Sequence, residues 1–274
     1  MKLSTLNNAN TNCITYYVGD NFEHVKHLKN CTLICNHNFN PILKGVKLIK
    51  TYNPQLFFYR LSHKVCNEYK FTNKNIKIGS NSLIHSSCVI GDDVVIGNNV
   101  ELGPNTVIFS KSVIGNNTRI GSNVTIGGEG MMWIWNRENK VFLKQLGGVK
   151  IGNNCIIGCN SVIVRGSANE FTIINDGVNM SPGCNIGHGV FIGKNSHLAN
   201  NVAIGGSAYI CDDSFLGSSS VVSPQAKILK KIILGANSLA NKIINSSGVY
   251  VGSPAIKIKE INGKHNGVPV YLKT

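Results

Sequence analysis

The chain has 274 residues, enough for one long domain or two modest ones, and no run of eighteen apolar residues that would suggest a membrane-spanning helix. Its formal charge of +14 is divided unevenly: residues 1–75 hold ten Lys/Arg against three acids, residues 76–226 nine against nine, and residues 227–274 eight against one. Basic ends around a neutral body, with no continuous basic stripe or aromatic-basic motif, argue against nucleic-acid binding and suit either phosphate-bearing ligands or solvated lysines.

The N-terminus, MKLSTLNNANTNC, turns polar after five residues and lacks the apolar stretch of a secretory signal. The nine cysteines therefore read as reduced thiols of a cytoplasmic protein. Cys31/Cys35 and Cys155/Cys159 have no histidine cluster beside them, so they are expected to be small buried hydrophobes, and no metal site is expected. Residues 1–75 read as a small α/β domain. Asn30–Cys35 and Val46–Ile49 predict buried strands, and Asn53-Pro54 supplies an N-cap and first-turn proline for a helix to about Val65.

From residue 76 to 240 a six-residue period takes over. Aliphatic residues recur as Ile78, Ile84, Ile90, Ile96, Leu102, Ile108, Ile114, Ile120 and Ile126. The phase returns at Ile151, Ile157 and Ile163, then from Ile174 through Ile186, Ile192, Leu198 and Ile204 to Leu234. Four residues after each stands a small or β-branched residue, such as Cys88, Val94, Thr106, Cys155, Ser161, Ser167, Val178 or Cys184. One large and one small inward residue per six is what a narrow stacked coil holds, so the period predicts a parallel β-helix with capped ends. Asn98-Asn99, Asn116-Asn117, Asn153-Asn154 and Asp212-Asp213 are its expected corners, because Asn and Asp tolerate left-handed backbone. Residues 241–274 are left as a C-terminal cap or tail.

Function is sought where the period breaks. Ile151 stands twenty-five positions after Ile126 rather than six, the intervening segment opening with Gly127-Gly128-Glu129-Gly130-Met131-Met132-Trp133 and returning through Lys144-Gln145-Leu146-Gly147-Gly148. This loop, residues 127–149, holds both tryptophans and reads as a binding flap or as packing for a neighbouring subunit. A second break, Val164 to Phe171, contains Arg165, either a phosphate contact or an exposed corner residue. His188 falls in neither inward column and is expected to point outward, inert or available for proton transfer.

The order of GGEG, Gln145-Leu146-Gly147, Arg165-Gly166, Ile186-Gly187-His188 and Ala203-Ile204-Gly205-Gly206-Ser207 resembles the UDP-3-O-acylglucosamine N-acyltransferases of lipid A synthesis and related sugar-nucleotide N-acyltransferases. These belong to the hexapeptide-repeat acyltransferase superfamily, which the tail Gly248-Val249-Tyr250-Val251-Gly252-Ser253-Pro254-Ala255 also resembles. The resemblance implies a left-handed coil, a homotrimer, His188 as general base and an N-terminal domain that contacts the nucleotide. It further implies that the protein transfers an acyl group from acyl-CoA to a nucleotide-linked amino sugar for surface polysaccharide. On that reading Gly205, Gly206 and Ser207 lie at the donor thioester, and Lys227, Lys230 and Lys242 at the coenzyme phosphates. Glu129, Trp133 and Arg165 contact the acceptor; for Glu129 an ordinary loop acid is the alternative. The second histidine of the lipid A enzymes aligns with Gln225 here, which sets that enzyme, with its acyl-carrier-protein donor, as the alternative. A carbonic anhydrase of this fold would need three suitably placed histidines, and the later coils offer His188 and His197. A non-catalytic repeat protein is the remaining rival.

Overall fold

The computed structural model describes residues 2–65, 71–72 and 74–261; part of the expected tail, residues 262–274, lies outside them. Two compact units form. One comprises Met1–Glu68, Glu129–Gly147 and Gly166–Glu170, and the other Tyr69–Gly128, Gly148–Arg165 and Phe171–Thr274.

The second unit is a left-handed parallel β-helix of three sheets with eight, ten and eight strands. The chain visits the faces in turn, as at Lys77–Ile78, Leu83–Ile84 and Val89–Ile90, so residues on one face repeat every three hexapeptides. On the first face Ile78, Ile96, Ile114, Ile151, Ile174, Ile192, Ile210 and Ile228 stand in register. Apart from Ile78, half exposed on the first rung, this column is buried. Each buried isoleucine contributes about 1.5–3 kcal/mol by leaving water. Beyond the partly buried Ser82 and Cys88 the small column is buried too, and two of its hydroxyls reach carbonyls of the following coil: Thr106 Oγ1 donates to Gly121 O at 2.8 Å and Thr118 Oγ1 to Gly152 O at 2.9 Å. Inward cysteines behave as small hydrophobes, and burial pushes the Cys184 thiol up to about 11.

The corners follow the predicted pairs. The second member is left-handed in each, with φ of 55° at Asn99, Asn117 and Asn154 and 56° at Asp213. The first member caps the coil before it: Asn98 N–H donates to Asn116 Oδ1 at 2.7 Å, and Asn116 N–H to Asn153 Oδ1 at 2.8 Å. These bonds satisfy amides that the two-residue strands leave unpaired. The coil runs past residue 240. Gly248–Val251 adds to the second face beside Ile232–Leu234, and Ile256–Lys259 closes that edge antiparallel.

The first unit holds a four-stranded parallel sheet, Lys2–Leu3, Cys13–Tyr16, Thr32–Cys35 and Lys47–Lys50 in that order, followed by helix α1, Pro54–Val65. Asn53 caps α1 by accepting the Leu56 N–H at 2.9 Å. The strand at Thr32–Cys35 is fully buried, whereas Lys47–Lys50 is not. The insertion after Gly128 is a β-hairpin, Trp133–Asn136 against Asn139–Phe142. Its Leu143 is buried with Leu3, Ile34, Phe58, Tyr59 and Ala168, and Met132, Ile134 and Val141 pack around them. The loop expected to be an appendage of the coil is thus core to the N-terminal unit, and so is Ala168 of the second break. No described helix is long and apolar enough to cross a membrane.

Candidate active site

One corner of the coil, where the third face turns into the first, gathers the irregularities. It follows Ile90, Ile108, Ile126, Ile163, Ile186, Ile204, Val222 and Ala240 on successive coils. Both insertions leave the coil here, after Ile126 and after Ile163, and His188, Gly206, Gln225 and Lys242 follow on later coils.

His188 is half-buried in the turn Gly187-His188-Gly189, and its carbonyl accepts the Ser207 N–H at 2.7 Å. Its imidazole lies against Gly206: a β-carbon there would stand 2.4 Å from Nε2 and 2.7 Å from Cδ2. The three residues expected at the thioester divide by their hydrogen bonds. Gly205 N–H is spent on Val222 O at 2.8 Å, and Ser207, at φ 59°, spends its own on His188 O. Neither amide is open to a thioester oxygen. Gly206 N–H donates no hydrogen bond among the described residues. The corner therefore places an imidazole beside that amide.

Arg165 is neither an exposed corner residue nor a surface phosphate contact. Its side chain is 1 % exposed, and one guanidinium nitrogen donates to Ser110 O at 2.5 Å. Its N–H donates to Gly128 O at 3.1 Å, so it ties the roots of the two insertions to the coil. Thr172 was missed. The hexapeptide count had put Ser167 in the small inward column, but Ser167 leaves with the insertion and Thr172, fully buried, takes that place two residues before Ile174. Counting back from Ile174 would have found it. Lys227, Lys230 and Lys242 are exposed. Lys227 follows Tyr209 and Phe191 in register on the first face, where the two rings stack at 4.8 Å.

Glu129 and Trp133 belong to the first unit. Glu129 pairs with Lys144 at 3.4 Å, and Gly130 N–H donates to Gln145 Oε1 at 2.6 Å, which closes the base of the hairpin. Trp133 and Trp135 lie edge to face at 5.3 Å, with the Lys140 ammonium 4.5 Å from the Trp133 ring centre. This cation–π contact holds both indoles on the exposed side of the hairpin. The same unit carries a groove of about 440 Å³ beside α1, lined among others by Tyr52, Phe57, Arg60 and Lys64. No group of three or more His, Cys, Asp or Glu able to hold a metal occurs among the described residues.

A family model described as bacterial transferase hexapeptide (six repeats) matches residues 75–110. The chain is 31% identical over 112 residues to the UDP-3-O-acylglucosamine N-acyltransferase of Delftia acidovorans, covering 41% of this chain and 33% of that protein. It is 36% identical over 122 residues to the probable UDP-3-O-acylglucosamine N-acyltransferase 2, mitochondrial, of Arabidopsis thaliana, covering 44% and 40%. These matches span between a third and two fifths of the relatives' length. Among solved structures, the UDP-N-acetylglucosamine acyltransferase from Campylobacter jejuni superposes with a TM-score of 0.58 at 25% identity, covering 66% of this chain and 69% of that one. Hexapeptide repeats wound into this β-helix are what the chain shares with them.

Proposed function

We propose that this hexapeptide-repeat protein is an acyltransferase that N-acylates a UDP-linked amino sugar, and that the corner around His188 performs the transfer. The observation that carries the reading is the imidazole lying against Gly206, whose amide is undonated. The acceptor amine attacks the thioester carbon, the carbonyl oxygen gains negative charge, and Gly206 N–H donates to it. His188 takes the proton released by the attacking nitrogen and returns it to the departing sulfur as the C–S bond breaks. The products are an amide and a free thiol.

The names of the matched relatives support a UDP-3-O-acylglucosamine acceptor, and with it an acyl-carrier-protein donor, over the acyl-CoA reading. Acyl-CoA transfer to another nucleotide amino sugar, for surface polysaccharide, is kept by one observation. The position aligned with the second histidine of the lipid A enzymes is Gln225, a left-handed corner residue at φ 63° whose N–H donates to Gly206 O. Lys227, Lys230 and Lys242 would meet the phosphates of either donor. In the N-terminal unit, Tyr52 and Phe57 offer faces to a nucleotide base, and Arg60 and Lys64 offer charge to its phosphates. The homotrimer and the cytoplasmic location belong to the same proposal.

The test is release of free thiol from acyl-carrier-protein and acyl-CoA donors, each offered with UDP-3-O-acylglucosamine and other nucleotide amino sugars. Turnover with the first donor and UDP-3-O-acylglucosamine is expected. Turnover with acyl-CoA alone selects the second reading, and no amine-dependent release with any pair ends both.

A further inference from the structure

We propose that Thr172 is a positioning residue that sets the height of the His188 turn and couples it to the second insertion; the functional part of this proposal rests on the acyltransferase reading. Thr172 is fully buried at the start of the strand Phe171–Ile174, where the chain re-enters the coil. Its hydroxyl donates to Val164 O at 2.6 Å, on the strand by which the chain left, and accepts the Gly189 N–H at 2.9 Å. One side chain thereby closes the root of the insertion and holds the residue that follows His188.

Thr106 and Thr118 donate across to carbonyls of the next coil, whereas Ser112 and Thr172, in register on one column, donate within their own corner; Thr172 also accepts an amide of the His188 turn. Gly189 is left-handed at φ 64°, so the turn it closes has few other ways to satisfy that amide. Without the hydroxyl, a buried N–H loses its acceptor and the turn Gly187-His188-Gly189 can shift. A shift there moves the imidazole relative to Gly206, against which it lies. A misplacement of about an ångström at a catalytic group costs roughly a hundredfold in rate, so a single hydroxyl can govern turnover from outside the reacting atoms.

Thr172→Val keeps shape and branching but removes the hydroxyl, and Thr172→Ser restores it. Thr172→Val should lower kcat roughly tenfold or more with the acceptor KM nearly unchanged, and Thr172→Ser should stay within about threefold of wild type. In parallel, the His188 imidazole resonances followed by NMR with pH, assigned by their loss in His188→Asn, should move in Thr172→Val and return in Thr172→Ser. This readout needs no substrate, so it judges the positioning even if the wild-type protein transfers no acyl group. Unmoved His188 resonances in Thr172→Val overturn the proposal. So does a Thr172→Val enzyme within twofold of wild type, or equal losses in both variants that merely follow a lowered Tm.

Discussion

The imidazole of His188 rests on Gly206, one full coil later, so closely that a methyl group on Gly206 would stand 2.4 Å from Nε2 and 2.8 Å from Cε1. The neighbouring glycine is blocked differently: a β-carbon on Gly205 would meet Pro224 N at 2.4 Å and its ring carbons at 2.6 and 2.7 Å. A side-chain ring can swing away, whereas a stacked backbone cannot. Gly206→Ala should therefore displace His188 with a stability change below about 1 kcal/mol. Gly205→Ala should overpack the coil and cost about 1–3 kcal/mol. Thermal melts of both variants alongside turnover check this. Low activity with a near-normal Tm is expected of Gly206→Ala, and a lowered Tm of Gly205→Ala.

The hairpin makes a second prediction. A long insertion between intact rungs invites the expectation that removing residues 131–143 leaves a folded, trimeric β-helix with sharply lowered activity. Leu143, however, is 7 % exposed inside the cluster of Leu3, Ile34, Phe58 and Tyr59. Deletion should open the N-terminal unit while the β-helix, whose columns do not use the loop, stays folded. Leu143→Ala alone should cost that unit about 2–5 kcal/mol. Trp133→Ala and Trp135→Ala, on the exposed side, should leave stability within about 1 kcal/mol and lower activity if the indoles meet substrate. Hydrogen exchange resolved along the chain separates the two units and would show a uniform loss if this is mistaken.

Much of the coil was legible because its physics is periodic. Inward Ile and small residues, and Asn or Asp at corners, are each dictated by a local demand that recurs every six residues. The site was legible only in part. That His188 and Gly206 share a corner follows from their separation of three hexapeptides, but that the ring lies on the glycine is a rotamer, which spacing does not specify. Ser167 was misassigned because an insertion resets the phase, and only the rung after it, at Ile174, recovers the count. Arg165 read as a surface or ligand residue because it stands where the period breaks; its buried guanidinium instead meets the Ser110 carbonyl, fifty-five residues earlier. Lys2–Leu3 and Cys13–Tyr16 were hidden by the Asn-rich stretch between them.

Asp92 gives a pH prediction. Burial, the largest single influence, pushes its carboxyl up, but hydrogen bonds from the Thr72 hydroxyl and from the Thr72 and Lys74 amides together outweigh it and hold the group below its ordinary value. A carboxyl depressed in the folded state stabilises above its unfolded pKa, and that contribution is lost as pH falls through the folded one. The entry to the first coil should therefore loosen on acidification below about pH 4. Protection of the Thr72 and Lys74 amides, taken relative to their intrinsic exchange rates, should fall over that range in wild type. In Asp92→Asn it should already be lower at neutral pH and insensitive to acid; unchanged protection of both amides in wild type would contradict this.

Assembly is the fourth prediction. The outer faces of the coil carry the stacked pairs Phe191–Tyr209 and His197–Phe215, and Ile156 is half exposed. Apolar faces of this kind suit association between copies. Light scattering should return a mass three times the 29.6 kDa of the chain at micromolar concentration. A monomer would remove the trimer from the proposal.

The sharpest prediction concerns His188. His188→Asn keeps a hydrogen-bonding side chain of similar reach but removes the imidazole. The residue is half-buried at a corner and belongs to neither inward column, so stability should change by no more than about 0.5 kcal/mol. If the imidazole is the general base, turnover should fall roughly a hundredfold or more while acceptor binding is largely kept. A rate that needs a general base should also decline on acidification, and the variant should lose that limb of the profile. An amine that arrives neutral, with the leaving thiolate as final proton acceptor, predicts otherwise: His188→Asn would stay within a few-fold of wild type. In that case the ring's place over Gly206 would serve to orient the thioester, and the amide beneath it would carry most of the catalysis.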